Sequence, residues 1–366
     1  MKGKTFLITG AAGFIGANFI KYMLKKYGSN IKIIVLDKLT YAGNLKTLEK
    51  ELKKINFIKG DICNKDLVNE IFAKNDIDYV VNFAAESHVD RSIENPEIFL
   101  ETNILGTNNL LDISRKYWSR KGEKYKKGVM FLQISTDEVY GSLGKTGYFT
   151  EKTPLDPRSP YSASKTSADL LVQACVETYK FPAITTRCSN NYGPFQFPEK
   201  LIPLIIKNTV EGKKLPVYGD GKNVRDWIYV DDHCSAIELA LKKGKGGEVY
   251  NIGGHNEKQN IEVVKTIIDK VRELAEKKKK YHSALRTDIS NISYDLIEYV
   301  TDRKGHDRRY AIDPRKIEKE LGWKSKVKFA DGIEKTVMWY LENQDWIDDV
   351  VSGEYQEYYE KMYGER

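Results

Sequence analysis

Thr5–Gly16 reads TFLITGAAGFIG. Thr5–Thr9 is an apolar run of strand length, and Phe14–Lys26 carries apolar residues at helical spacing. Between them Gly10, Gly13 and Gly16 make G-x-x-G-x-x-G. A strand that turns through small residues into a helix brings free backbone N–H groups and the positive end of the helix dipole up to a pyrophosphate. The next apolar run, Lys32–Leu36, ends at Asp37, about twenty residues after the last glycine. An acid there binds the ribose hydroxyls of NAD and repels the 2′-phosphate of NADP, while Lys38 beside it pulls the other way. Two roles fit Asp61, in Asp61-Ile62 after the third strand: a contact beside the adenine, or the N-cap of the helix that follows.

Working outward, Phe57–Lys59, Tyr79–Phe83 and Met130–Ile134 read as further strands, with helices over Lys65–Lys74 and Glu97–Tyr117. Ala183–Arg187 is a sixth strand, after a helix over Tyr161–Tyr179. Strands alternating with helices predict an α/β fold, a Rossmann-type doubly wound parallel sheet. After Asn190 the order loosens. Helices are expected at Leu201–Glu211, Asp231–Lys242, Ile261–Ala275 and Ala330–Asn343, and short strands at Leu215–Tyr218, Asp226–Tyr229 and Glu248–Ile252. The expectation is an NAD-binding domain over 1–189 and a smaller mixed α/β substrate-binding domain over 190–366, some of whose strands return to the first sheet. Glu276–Asn291 is polar without a clear period and reads as a loop.

Composition excludes several classes. The chain has 366 residues, 41% of them hydrophobic, which suits a globular protein with a sizeable core. No apolar run reaches the length of a membrane span. Met1-Lys2-Gly3-Lys4 leads straight into the first strand, so a cleaved leader is not expected. Cys63, Cys175, Cys188 and Cys234 are scattered with no C-x-x-C pair, which suits reduced thiols in the cytoplasm and gives no metal signature. The net charge of +7 sits in lysine runs such as Lys277–Lys280, without the interleaved motifs of a nucleic-acid binder.

Two further patterns carry chemistry. Tyr161 and Lys165 lie four apart on a helix and share a face. A free phenol has a pKa of about 10, and a nearby ammonium with a cationic nicotinamide favours the phenolate. Asp137 and Glu138 sit together where the strand Met130–Ile134 leaves the core. Adjacent carboxyls in unequal environments are stable with one neutral and one ionised, which suits an acid and a base.

With Asn82-Phe83-Ala84-Ala85 and Ser135-Thr136 added, these pieces resemble the extended short-chain dehydrogenase/reductase family, in its NAD-dependent epimerase/dehydratase branch, over nearly the whole chain. Leu36–Asn44 (LDKLTYAGN), Ala84–Ser92 (AAESHVDRS), Ser135–Gly141 (STDEVYG), Ser189–Pro203 (SNNYGPFQFPEKLIP), Val224–His233 (VRDWIYVDDH) and Gly305–Asp313 (GHDRRYAID) point within it to a 4,6-dehydratase of a nucleotide-linked glucose. Epimerases usually have other residues at Asp137-Glu138.

The resemblance implies dTDP-glucose as substrate, with UDP-glucose left open, a tightly bound NAD, and a 4-keto-6-deoxy product for deoxysugar synthesis such as that of rhamnose. It implies that Thr136 holds the 4-hydroxyl, Tyr161 takes its proton with Lys165 in support, Glu138 takes the C5 proton, and Asp137 protonates the departing 6-hydroxyl. It assigns Gly10, Gly13, Phe14, Ile15, Gly16, Asp37, Lys38, Thr40, Asp61, Ile62, Ala84, Ala85, Ser87, Thr102, Ser135, Tyr161, Lys165 and Asn191 to the cofactor. Ser87, His88, Thr136, Asn190, Lys200, Leu201, Pro216, Tyr218, Arg225, Asn260 and His306 fall to the substrate, and no metal is implied. It also implies a homodimer pairing Glu97–Tyr117 and Tyr161–Tyr179 across a two-fold axis, with no nucleic-acid or membrane partner. Thr166 for the usual alanine and Lys304 for the usual proline depart from the pattern, and Glu276–Asn291 looks longer than the norm. The rival readings are a UDP-sugar 4-epimerase or decarboxylase on the same fold and a non-catalytic NAD-binding protein.

Overall fold

The computed structural model describes residues 1–121, 124–302 and 305–351. Lys304 and the end of the second expected domain lie outside them. The chain opens β1 (Lys4–Thr9), α1 (Phe14–Tyr27), β2 (Ile31–Asp37), β3 (Asn56–Lys59), α2 (Lys65–Lys74), β4 (Tyr79–Asn82), α3 (Val89–Glu94), α4 (Pro96–Phe99) and α5 (Thr107–Trp118). A short hairpin of β5 (Ser119–Arg120) and β6 (Lys124–Tyr125) leads to β7 (Met130–Thr136), α6 (Pro160–Tyr179) and β8 (Ala183–Cys188). There follow β9 (Asn190–Tyr192), α7 (Leu201–Glu211), β10 (Leu215–Tyr218), β11 (Val224–Tyr229), α8 (Val230–Lys243), β12 (Val249–Ile252) and β13 (Glu257–Gln259). The described chain ends with α9 (Asn260–Lys277), β14 (Ile297–Val300), α10 (Arg315–Leu321), α11 (Phe329–Glu342) and α12 (Gln344–Val350).

One seven-stranded sheet runs β12-β8-β7-β4-β1-β2-β3, parallel throughout. The strand order reverses beside β1, so the carboxyl ends of β1, β4 and β7 open onto the crevice where doubly wound sheets bind ligands. Buried apolar side chains cover both faces. Phe19, Ile20 and Met23 of α1 meet Ile237, Ala240 and Leu241 of α8 on one face, and Leu110 and Leu111 of α5 meet Val172 of α6 on the other. A separate core packs α7, α9 and α11 around Ile205, Val264, Ile268, Ile333 and Val337, beside small sheets of β10 with β14 and of β13, β11 and β9.

Local chemistry explains the boundaries that matter. Asn64 caps α2 by accepting from the Leu67 N–H, so Asp61 is not that helix's cap; its Oδ1 accepts from the Cys63 N–H at 2.8 Å. Ser159 and Ser162 form a reciprocal capping box at the start of α6, with Pro160 in the first turn. β12 is the strand that returns from the second half to the main sheet.

Three expectations need correction. Glu97–Tyr117 is not one regular helix, because Leu100–Gly106 takes π-helical geometry between α4 and α5. Strand β4 stops at Asn82, after which the Phe83 N–H turns to the Thr9 carbonyl at 3.2 Å. Glu276–Asn291 is not all loop: α9 runs to Lys277, and short 3₁₀ helices span Lys279–Ala284 and Ile289–Asn291. Only Tyr281 and Ala284 are buried there, too few to write an apolar period.

Candidate active site

The glycines are set by contact as well as by turn geometry. Gly10 has φ +64°, and a Cβ on it would lie 2.5 Å from the Ala84 backbone. A Cβ on Gly16 would meet the Ala11 Cα at 2.7 Å. Gly13 is the N-cap of α1 and offers no capping side chain, so the first N–H groups of the helix remain for an anion. Asp37, at the end of β2, accepts from the Ala12 and Leu39 N–H groups at 2.8 Å each. It is held in place while each oxygen keeps a lone pair for a ligand. Lys38 Nζ lies 2.8 Å from Asp61 Oδ2, so its charge is already engaged by an acid.

From this loop a cavity of about 320 Å³ runs across the ends of the strands to α6. All five residues expected to be catalytic line it: Thr136, Asp137, Glu138, Tyr161 and Lys165. The chain leaves β7 at Thr136 and enters a 3₁₀ turn, Asp137–Tyr140, that drops Asp137 inward with 2% of its surface exposed. The Thr136 hydroxyl accepts from the Glu138 N–H at 3.2 Å and lies 3.3 Å from Asp137 Oδ1. Asp137 Oδ2 is buried without a hydrogen-bond partner. Burial, then the charges of Glu138 and Asp226, push the Asp137 carboxyl well above its ordinary range, against smaller opposing effects of Arg225 and Thr136. These surroundings favour the neutral acid over the carboxylate.

Tyr161 shares a hydrogen bond with Thr136, and burial followed by the Glu138 charge raises its phenol well above 10. Lys165 sits one helical turn on, its Nζ 2.7 Å from the Ile134 carbonyl, and burial lowers its pKa. The 3₁₀ turn is anchored from below. The Tyr140 hydroxyl donates to Asn251 Oδ1 at 2.8 Å and accepts from Arg187 Nη1 at 3.0 Å, while Arg187 Nε pairs with Asp169 of α6 at 2.8 Å.

Of the residues assigned to the cofactor, Gly10, Gly13, Phe14, Ile15, Gly16, Asp37, Lys38, Thr40, Asp61, Ile62, Ala84, Ala85, Ser87, Thr102 and Asn191 also line the cavity. Ser135 does not; it is buried within β7, its carbonyl 3.4 Å from Cys188 Sγ. Asn191 Oδ1 is 2.9 Å from Nδ1 of the fully buried His233, whose pKa burial lowers to about 3.

Of the residues assigned to the substrate, Ser87, Thr136, Asn190 and Lys200 line the cavity, and the rest stand outside its wall. His88 begins α3 as a buried N-cap and Leu201 begins α7. Pro216 and Tyr218 belong to β10, and the Tyr218 ring meets His306 edge-on at 6.2 Å. Arg225 and Asn260 join one polar cluster. Arg225 Nη2 and Asn223 Nδ2 both donate to the Asp307 carbonyl, at 2.9 and 3.1 Å, and the Asn260 N–H donates to the Asn223 carbonyl at 2.9 Å.

Sequence reasoning did not single out Glu86, Ser189, Gln196, Phe197 or Glu199, which line the cavity too. It also missed Asn103, which clamps residue 86 by accepting from its N–H at 2.9 Å and donating to its carbonyl at 3.0 Å. Glu86 and Glu199 lie inside the motifs AAESHVDRS and SNNYGPFQFPEKLIP, and a buried acid in such a motif was the available signal.

Known proteins share this sequence and fold. The profile of the GDP-mannose 4,6 dehydratase family matches residues 7–336. The dTDP-glucose 4,6-dehydratase of Salmonella typhimurium is 50% identical over 368 residues, 98% of either chain. This chain belongs to the dTDP-glucose 4,6-dehydratase family. The Xanthomonas campestris member of that family is 51% identical over 96% of this chain and 97% of its own. The dTDP-glucose 4,6-dehydratase of Bacillus anthracis, solved in complex with NAD, superposes with a TM-score of 0.82 at 48% identity, covering 95% of this chain and all of that one (100%). The Streptomyces venezuelae dTDP-glucose 4,6-dehydratase, solved with NAD and a TDP ligand, gives 0.83 at 42% identity, over 94% of this chain and 99% of its own. The Thermotoga maritima UDP-glucose 4-epimerase shares the fold at 27% identity, TM-score 0.79, over 93% and 99%. The Rossmann-type doubly wound sheet is thus common to dehydratase and epimerase, and this chain's identity lies with the dehydratases.

Proposed function

We propose that this chain is an NAD-dependent enzyme that converts dTDP-glucose into dTDP-4-keto-6-deoxyglucose and water, for the synthesis of deoxysugars. The observation that carries the reading is Asp137, buried where its surroundings favour the neutral acid, beside Glu138 on the wall that also holds Thr136 and Tyr161. An epimerase has no use for an acid held ready to protonate a leaving hydroxyl. NAD fits the residues present. Gly10 and Gly16 leave a cradle that a Cβ would fill, the α1 N-terminus is uncapped, and Asp37 stands ready for a ribose.

When bound, NAD supplies the chemistry of accepting hydride from C4 and returning it at C6. The protein moves the protons. Thr136 holds the sugar's 4-hydroxyl beside Tyr161, which takes its proton. Burial pushes Tyr161 up and Lys165 down, so phenolate and ammonium form most readily together, as neighbouring opposite charges. The resulting 4-keto group acidifies the C5–H bond. Glu138 removes that proton, Asp137 donates to the 6-hydroxyl, and water leaves across C5–C6. Glu138 then returns a proton to C5 as C6 is reduced. The reaction is redox-neutral, so the cofactor stays bound through the cycle.

The cofactor and substrate assignments made from the sequence belong to this reading. So does a division into an NAD-binding domain over 1–189 and a nucleotide-sugar-binding domain over 190–366. The cluster of Arg225, Asn260 and the Asp307 carbonyl, with His306 and Tyr218, is the proposed end for the nucleotide diphosphate. A homodimer through α4–α5 and α6 is supported by exposed Leu100, Leu105 and Leu170 on those segments. No helix among the described residues is long and apolar enough to cross a membrane. With free cysteines throughout, a cytoplasmic enzyme is the reading.

The test uses purified protein with no added NAD, incubated with dTDP-glucose and separately with UDP-glucose. Loss of one water by mass, with the keto absorbance in alkali, is expected, and faster with dTDP-glucose. A 4-epimer of unchanged mass sinks the reading; a faster reaction with UDP-glucose reassigns the base.

A further inference from the structure

The segment after β2 crosses from the NAD-binding sheet to the second half of the chain and is tied there by a half-buried cluster around the buried Glu199. The Tyr41 hydroxyl donates to Glu199 Oε1 at 3.1 Å. Glu199 Oε2 accepts from Arg91 Nε at 3.1 Å, and the Arg91 guanidinium stacks on the Tyr41 ring, 3.8 Å from its centroid. Phe197 meets the same ring edge-on at 5.6 Å. Farther along, Trp346 Nε1 donates to Thr47 Oγ1 at 3.1 Å and Asn44 Nδ2 to Asp349 Oδ2 at 3.0 Å, a second tie to α12.

Glu199 lines the cavity, and Tyr41 sits between residues that do. Thr40, Ala42 and Gly43 line it from one side, and Phe197, Glu199 and Lys200 from the other. Asp37 and Lys38 line it immediately before the first group, at the end proposed for the adenosine. We infer that Tyr41, Arg91 and Glu199 form a clasp that joins the two walls over the adenosine half of the dinucleotide and sets how slowly NAD leaves. The inference rests on the NAD reading above and adds positioning residues to it. A redox-neutral cycle gains from such a clasp, because cofactor lost between oxidation and reduction strands the sugar at the keto stage.

The cluster suits the task chemically. A carboxylate bound by both a guanidinium and a phenol makes charge-assisted bonds, stronger than neutral ones. Burial, then the Glu199 charge, hold the Tyr41 phenol well above its ordinary range, so it remains a donor across the working pH. Glu199 is itself 7% exposed, so losing either donor leaves a buried acceptor short of a partner.

The experiment loads wild type, Tyr41→Phe and Glu199→Gln with NAD, chases with excess NADH, and follows exchange by NADH fluorescence, with a thermal melt of each protein. Release at least about tenfold faster in both variants, the scale of one charge-assisted hydrogen bond, is expected. Tyr41→Phe keeps the ring and its packing, so folding is not in doubt for that variant. Wild-type release rates in both variants, or lower melting temperatures with unchanged release, overturn the clasp. A wild type that binds no NAD overturns the cofactor reading itself, and the clasp with it.

Discussion

Asp137 and Glu138 are neighbours in sequence and are given opposite tasks by their surroundings. Asp137 is sealed in, with an unpartnered Oδ2, and its burial favours the neutral form; the Glu138 charge raises both Asp137 and Tyr161. Two substitutions test this division. In Glu138→Gln the C5 proton has no base, so solvent deuterium should not enter C5, while NADH still appears transiently on mixing with substrate. The same change removes a negative charge from beside Tyr161, which favours the phenolate and lowers its pKa. The acid limb of NADH formation, read by stopped-flow absorbance across pH, should therefore move to lower pH; a limb that stays put or rises counts against the coupling. In Asp137→Asn the amide cannot donate a proton to the leaving hydroxyl. Water loss should fall about 10²–10⁴-fold, the usual reach of general acid catalysis, with oxidation slowed much less. Equal slowing of both steps would remove the acid role. At this scale the sequence was legible for which side chains gather at the cavity, Tyr161 and Lys165 through their spacing and Thr136 through the resemblance. It was illegible for Asp226, whose effect on Asp137 comes through space from β11, far along the chain.

The stretch Pro96–Trp118 teaches the same lesson for elements. Its apolar residues keep a helical rhythm, which is why it reads as one helix, yet Leu100–Gly106 is wound wider. A π-turn shifts the facing of one side chain without disturbing the pattern on either side, and such turns are frequent at functional sites. The residue concerned is Asn103, 1% exposed, whose amide grips both backbone groups of Glu86 and also donates to Ser164 Oγ of α6 at 2.8 Å. It thereby fixes the wall of Ala84–Ser87 against the helix that carries Tyr161. Asn103→Ala strips partners from a buried N–H and a buried carbonyl, and should destabilise the fold by about 1–3 kcal/mol, seen as a lower urea midpoint. Its KM for substrate should rise, because residues 86 and 87 lose their brace. A variant with unchanged stability and KM would leave the π-turn without this role. The very short strands were illegible for a simpler reason: β9 and β13 span only 190–192 and 257–259, too few residues to display a period of two.

At the scale of the molecule, most described apolar surface has found a partner. The aliphatic exceptions gather on neighbouring segments. Leu105 is 61% exposed, Leu170 50% and Leu100 46%, on the π-turn and on α6, which pack side by side and carry Asn103 and Tyr161 respectively. Aliphatic side chains left out together rather than singly mark a surface meant to be covered. Burying one such side chain fully contributes about 1.5–3 kcal/mol, so a second copy of the same face would gain from each of them twice. The double substitution Leu105→Glu, Leu170→Glu puts like charges into the proposed symmetric contact, where each would meet apolar surface or another acid. Sedimentation equilibrium should then report a monomer where the unaltered chain reports a dimer. Because the dimer would clamp the helix that carries Tyr161 and Lys165, the monomer should also melt earlier and turn over more slowly, with NAD and substrate both saturating. A monomer with full activity would separate assembly from catalysis, and an unaltered chain that sediments as a monomer would leave these leucines to some other partner.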